Sequence, residues 1–144
     1  GRPESVHILL FPKYEALRDE EYLLAEWTKL REVREAVLKA LEDARRNGLI
    51  GNSLEARVIL RAAGDAASLL RRHKDDLRYI FIVSQVEIED IPGTGGDLRI
   101  EVLRADGPKC ERCWNYSIEV GKDSAYPSLC ERCIPAVQEM TNVE

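Results

Sequence analysis

Two Cys-x-x-Cys knuckles, Cys110-Glu111-Arg112-Cys113 and Cys130-Glu131-Arg132-Cys133, stand 16 residues apart and use every cysteine of the 144-residue chain. Each knuckle turns two sulfurs to one side of a tight bend, and the loop 114–129 carries the second pair onto the first. This is the ligand arithmetic of a tetrahedral four-thiolate zinc site. A zinc ion whose shell is closed by Cys110, Cys113, Cys130 and Cys133 has no position for water, so the expected role of the single ion is a folding staple. A redox dithiol needs one such motif at a strand-to-helix junction with an activated thiol, which two copies in a short polar ribbon do not provide. Two disulfides would suit a secreted chain, but the opening residues lack signal-peptide character and four cysteines do not make a disulfide-dense scaffold. His7 and His73 lie far away in sequence and read as ordinary polar residues.

A ribbon of about 25 residues buries too little to fold without its metal, but the rest of the chain is long enough for one modest core. With 44% hydrophobic and 33% charged residues the chain reads as globular. No apolar run approaches the roughly 20 residues that span a bilayer, so no membrane role is expected. The start Gly1-Arg2-Pro3-Glu4-Ser5 has no initiator methionine, which suggests a piece of a longer polypeptide. The net charge of −5 argues against a wholly nucleic-acid-coated surface. One island runs the other way: six basic residues between Arg57 and Arg78 face three acidic ones, densest at Arg71-Arg72-His73-Lys74. A solvated helix end and a phosphate contact are both open to Arg71, Arg72 and Lys74.

A long helix is expected from an N-cap at Asp19, with Glu20 and Glu21 in its first turn, to a stop at Asn47-Gly48 preceded by Arg45 and Arg46. Leu23, Trp27, Leu30, Val37, Leu41 and Ala44 form its apolar stripe, widened by Val33 and Leu38. Glu35 with Lys39 and Glu42 with Arg46 are favourable pairs on the wet side. A coiled-coil dimer is the runner-up, but Arg34 occupies the seam, and a monomer is expected. Leu54, Ala56, Val58 and Leu60 alternate with Glu55, Arg57 and Arg61 as in a half-buried strand, with Ile59 breaking the polar row. Asp65–Lys74 reads as a short helix carrying Ala66, Leu69 and Leu70. Tyr79–Ile88 reads as a second strand and Leu98–Arg104 as a third. Pro92-Gly93-Thr94-Gly95-Gly96 between them reads as a hairpin turn, since a phosphate cradle would need a following helix. The expectation is an α+β fold: a long helix on a small three-stranded sheet, mixed or antiparallel, with a short helix, followed by a four-cysteine zinc ribbon. The divisions expected are 1–18, 19–107 and 108–144.

No Ser/His/Asp set, metal-free cysteine or P-loop is present, so no catalytic residue is assigned. Asn115-Tyr116-Ser117 matches a glycosylation acceptor, but a zinc-thiolate ribbon implies a reducing, cytoplasmic setting, so the match is read as chance. A binding role remains. Trp114 and Tyr116 follow the first knuckle, Tyr126 precedes the third cysteine, and Lys109, Arg112, Lys122 and Arg132 interleave charge with these rings, as suits single-stranded nucleic acid. From Pro108 to Ile134 the formal side-chain charge is zero, and four thiolates on one zinc leave about two negative charges, so non-specific binding should be weak. Trp114 as a cover for the ribbon's small core is the competing reading.

Lys109-Cys110-Glu111-Arg112-Cys113-Trp114-Asn115-Tyr116-Ser117, closing with Leu129-Cys130-Glu131-Arg132-Cys133, resembles the C-terminal zinc finger of bacterial isoleucyl-tRNA synthetases. Upstream, Glu4-Ser5-Val6-His7 with Phe11-Pro12 resembles the end of that family's anticodon-binding helical domain. Leu30-Arg31-Glu32-Val33-Arg34 with Lys39-Ala40-Leu41-Glu42 resembles its following helix, and Ile50-Gly51-Asn52-Ser53-Leu54-Glu55-Ala56 its next strand. The resemblance implies a parent ligase that joins isoleucine to tRNA(Ile) with ATP and clears mischarged valine at an editing site. The chain resembles only the tail: the His-Ile-Gly-His and Lys-Met-Ser-Lys-Ser signatures of the ATP site have no match, so ATP belongs to the missing catalytic domain. For this piece the resemblance implies recognition of tRNA(Ile) near the anticodon stem-loop, which holds the acceptor end in the distant synthetic site. Glycosylases that excise oxidised purines from DNA end in a similar finger, but they usually carry Gly-Arg-Ser/Thr before the third cysteine, where this chain has Ala125-Tyr126-Pro127-Ser128. A zinc-stapled module docking on its own enzyme is a further alternative.

Overall fold

A computed structural model describes residues 20–93 and 97–141, with positions 5, 7 and 10. The expected cap at Asp19, the rest of segment 1–18 and Thr94-Gly95-Gly96 lie outside the described residues.

The long helix, α1, spans Glu20–Arg46. It stops where the sequence places a stop, by a Schellman pair: Leu49 N–H donates to Ala44 C=O and Gly48 N–H to Arg45 C=O, both at 3.0 Å. Gly48 takes the left-handed conformation this requires, at φ +73°. Leu30, Val33, Val37, Leu41 and Ala44 of the stripe are buried. Its first third is not: Leu23 and Trp27 remain more than two-fifths exposed beside Tyr22 and Leu24. Arg34, the misfit of the seam, lies against the body and donates to Ile80 C=O at 2.9 Å.

After a 3-10 turn at Ser53–Glu55, strand β1 covers Ala56–Ala62 and lies in the middle of a three-stranded mixed sheet. Helix α2, Gly64–Arg72, and a single-turn helix α3, Leu77–Phe81, lead to β2, Gln85–Asp90, which runs parallel to β1. β3, Leu98–Arg104, runs antiparallel on the other side of β1. The α+β class, the mixed sheet and the third strand agree with the sequence pattern. Two expectations do not hold. The segment Tyr79–Ile88 is not one strand, because parallel pairing of β1 and β2 demands a crossover and the chain supplies one by coiling Leu77–Phe81 so that Leu77 and Phe81 enter the core. Nor do residues 91–97 join a hairpin. β2 and β3 are separated by β1, and the connection passes over the end of β1, where Ile91 N–H donates to Ala62 C=O and Ala63 N–H to Asp97 C=O.

Alternation along β1 sorts the two faces. Ala56, Val58, Leu60 and Ala62 are fully buried against the helices, and the partly buried Val86, Ile88, Ile100 and Val102 of the flanking strands pack beside them. The opposite face is a charge lattice around Ile59: Arg57 meets Glu87 and Asp106, and Arg61 meets Glu89 at 2.6 Å and Glu101 at 2.8 Å. This explains why Ile59 is 6% exposed in an otherwise polar row. Arginine stems held by such pairs can shield an apolar neighbour on the same face.

Candidate metal centre

Beyond β3 the chain crosses Gly107 and enters the cysteine loop, which has a core of its own: Cys110, Val120, Cys130 and Cys133, flanked by Cys113 and Leu129. The two knuckles are built alike. The Cys110 sulfur receives the N–H groups of Arg112 and Cys113, and the Cys130 sulfur those of Arg132 and Cys133. Each turn is closed by its backbone, Trp114 N–H to Cys110 C=O at 2.9 Å and Ile134 N–H to Cys130 C=O at 3.2 Å. Cys130 N–H also donates to the Cys110 sulfur at 3.4 Å, tying one knuckle to the other.

All four sulfurs lie within 4.8 Å of one another, with Cys113 and Cys130 at 3.6 Å. Four sulfurs at the usual 2.3 Å from one zinc ion stand about 3.8 Å apart, whereas a disulfide would need about 2.05 Å. The donor set therefore fits zinc and shows no disulfide. The thiols are unequal. Burial pushes Cys130 up to about 12, while at Cys113 burial is overcome by hydrogen bonds from Asn115 and the neighbouring sulfurs, which bring it down to about 6. Arg112 donates to the Cys133 sulfur at 3.6 Å and faces the negative charge that four thiolates on zinc would carry.

Trp114 is 60% exposed and takes no part in the finger's core. Its backbone is left-handed, at φ +65°, and the Lys109 ammonium lies 5.0 Å from its ring centroid. Tyr116 pairs with Lys109 across a short antiparallel bridge and is half-buried. Asn115 of the glycosylation-like triplet turns its amide to Cys113 C=O. Arg132 reaches out of the finger to the body, donating to the Tyr79 hydroxyl at 2.8 Å. The basic residues of α2 are separate from this tip. Arg71 is paired with Asp90 and Arg72 with Glu26 at 2.5 Å, which holds the Glu26 carboxyl below its usual range, and Lys74 is exposed. The charge surplus seen in the sequence is thus largely offset by acids from α1 and β2.

The polar seam between finger and body escaped the sequence reading. Ser84, the buried polar side chain among the described residues, donates to Leu54 C=O and accepts from Tyr116 N–H at 2.7 Å. Gln85 takes both ends of Asp106, its amide donating to the carbonyl at 3.0 Å and its oxygen accepting from the N–H at 2.9 Å. A serine and a glutamine at the mouth of a strand carry no periodic signal. Ser84→Ala is expected to lower stability by about 1–3 kcal/mol, since Tyr116 N–H would be left buried and unpaired. Denaturant unfolding checks this, and a loss under about 0.5 kcal/mol would mean water replaces the hydroxyl.

A buried four-thiol cluster with twin knuckles on a small α+β body defines a zinc-finger class of chain. Residues 107–136 match the family described as a zinc finger found in FPG and IleRS. Over nearly its whole length the chain is homologous to isoleucyl-tRNA synthetases. It is 45% identical, over 99% of its length, to the isoleucine–tRNA ligase of Carboxydothermus hydrogenoformans and 46% identical, over 95%, to that of Symbiobacterium thermophilum. It is 47% identical, over 81% of its length, to that of a Synechococcus species. The chain spans only 16% of the first two relatives and 14% of the third. No helix among the described residues is long and apolar enough to cross a membrane.

Proposed function

We propose that this chain is the tRNA-recognition tail of an isoleucyl-tRNA synthetase, the C-terminal part of a ligase that attaches isoleucine to tRNA(Ile) with ATP. In this reading Cys110, Cys113, Cys130 and Cys133 hold one structural zinc ion, which supplies folding energy to residues 108–144. The finger, fixed to the helix-and-sheet body of residues 19–107, presents Trp114, Lys109 and Tyr116 to unstacked bases near the anticodon stem-loop of tRNA(Ile). Chemistry on ATP and isoleucine belongs to the rest of the parent, and the tail contributes position. The match to a finger family shared with FPG leaves a DNA-binding alternative, and similarity to ligases along nearly the full chain favours RNA.

The observation that carries the proposal is Trp114 itself: a bulky residue kept left-handed, 60% exposed, with an ammonium over its ring. A non-glycine residue in that conformation costs about 1–2 kcal/mol. Strain held in an exposed aromatic points to a surface that binds something. Trp114→Gly separates the two roles, because glycine relieves the backbone and removes the ring. Zinc content and finger stability should hold or rise by about 1 kcal/mol. Affinity for isoleucine tRNA should fall by about 1–3 kcal/mol. The zinc-loaded chain is titrated with isoleucine tRNA, an unrelated tRNA and duplex DNA. Unchanged affinity in the variant would return Trp114 to a covering role, and preference for duplex DNA would defeat the RNA reading.

A further inference from the structure

Arg78 and Arg132 come from distant parts of the sequence, one from α3 and one from between the last two cysteines, yet both donate to the Tyr79 hydroxyl at 2.8 Å. The two donor nitrogens therefore lie within twice that distance of each other. Their guanidinium carbons stand 4.8 and 5.2 Å from the Tyr79 ring centroid. Among the described residues neither forms an ion pair, whereas Arg57, Arg61, Arg71, Arg72 and Arg104 each meet a carboxylate. The two arginines pull the Tyr79 phenol below its usual range, yet as two like charges on one hydroxyl they also repel each other, and an anion placed between them removes that penalty. The pair borders a groove of about 120 Å³ at the seam, lined also by Ser84, Gln85, Tyr116 and Glu131 and by Cys113 and Cys130 of the metal site. Glu131, the carboxylate of that groove, accepts from the Ser117 hydroxyl at 2.8 Å. Arg112 donates to the Cys133 sulfur, while Arg132, which also feels the charge of Cys113 and Cys133, donates to the Tyr79 hydroxyl.

We propose that Arg78 and Arg132 together form a clamp for one phosphodiester group of an RNA backbone, held by Tyr79 at the seam between body and finger. Arginine's planar fork suits such a group, and the tyrosine fixes both forks before the ligand arrives. The clamp rests on the RNA-binding reading and deepens it: Trp114 would read bases, whereas Arg78 and Arg132 would hold the strand without regard to sequence. Because finger and body each supply one arginine, binding would also lock the angle between them.

The test is the salt dependence of tRNA binding by the full zinc-loaded chain, with zinc quantified in every variant. Arg78→Gln should weaken isoleucine and unrelated tRNA by the same factor while Arg132 still neutralises the phosphate. The double variant with Arg132→Gln should weaken both further and reduce the log–log salt slope by about 0.7–0.9, the value for one phosphate, since one phosphate serves both residues. Arg132→Lys, which keeps the charge inside the finger, should keep the slope, and so should Tyr79→Phe while lowering affinity. An unchanged slope in the double variant, or loss of two phosphates there, would overturn the clamp. An unchanged slope would leave the pair to an acidic protein segment. Failure of the wild-type chain to bind any tRNA would remove the RNA reading as well, whereas wild-type binding with unaffected variants removes the clamp alone.

Discussion

Replacing Cys113 with serine is expected to strip the chain of zinc and unfold the cysteine loop while the helix-and-sheet body stays folded. The loop's own core holds four sulfurs, Val120 and Leu129, far too little apolar area to offset the ordering of some 25 residues. Metal binding must supply the difference, and apparent values of about 10–16 kcal/mol for structural zinc in small fingers are ample. A serine hydroxyl is neutral and hard where the site calls for a soft thiolate, and it leaves three donors with an open position. The body has its own core, from Leu30 on α1 to Phe81 and Val83, and shares no buried residue with the finger. It does lose the seam contacts of Ser84, Gln85 and Tyr79, so its stability should fall by about 1–3 kcal/mol without loss of helical signal. Elemental analysis together with circular dichroism decides the matter. Stoichiometric zinc in the variant would refute the four-thiolate assignment, and simultaneous collapse of α1 would refute the independence of the two cores.

The separation of the two buried clusters was legible in the sequence because both announce themselves by spacing. The knuckles do so by cysteines three apart, and α1 does so by a stripe sustained through seven turns to a glycine stop. The short crossover was not legible. Tyr79, Ile80, Phe81, Ile82 and Val83 are aromatic and β-branched, the composition of a strand, and only the parallel partner of β1 forces the first of them into a helical turn. The end of α3 repeats the Schellman pattern of α1, with Val83 N–H bonded to Arg78 C=O, but Ile82 sits at φ +58° where α1 has glycine. A β-branched residue in that position gives no stop signal. The basic island misled for a similar reason. Its partners, Glu26, Asp90, Glu87 and Asp106, lie outside the window counted, and tertiary pairing rather than sequence neighbourhood sets the local field. At the tip, sequence spacing brought Lys109 and Trp114 together correctly, but the meeting of Arg78 with Arg132 depends on how the finger sits on the body.

Gly107 controls that seating, and its replacement by alanine is expected to be the most damaging single-methyl change in the described chain. Two effects coincide there. The residue is left-handed at φ +84°, and a Cβ would stand 2.3 Å from both the carbonyl carbon and oxygen of Ser117 and 2.5 Å from Ile118 N. These are backbone atoms, held in place because Ser117 N–H bonds Pro108 C=O at 3.1 Å and Tyr116 N–H bonds Ser84. No side-chain rotation can relieve the overlap, so the finger must move off the body or the turn must open. Gly48 provides the control. It is also left-handed, at φ +73°, but nothing lies within 4 Å of its would-be Cβ, so alanine there meets backbone strain alone, about 1 kcal/mol. Gly107→Ala adds overpacking of about 1–3 kcal/mol to that strain, for a total of about 2–4 kcal/mol. The loss should fall on the seam, with zinc retained and the transitions of finger and body lying further apart than in the unsubstituted chain. Equal losses for Gly107→Ala and Gly48→Ala would show that the finger is free to shift, and with it the fixed meeting of Arg78 and Arg132 would be lost.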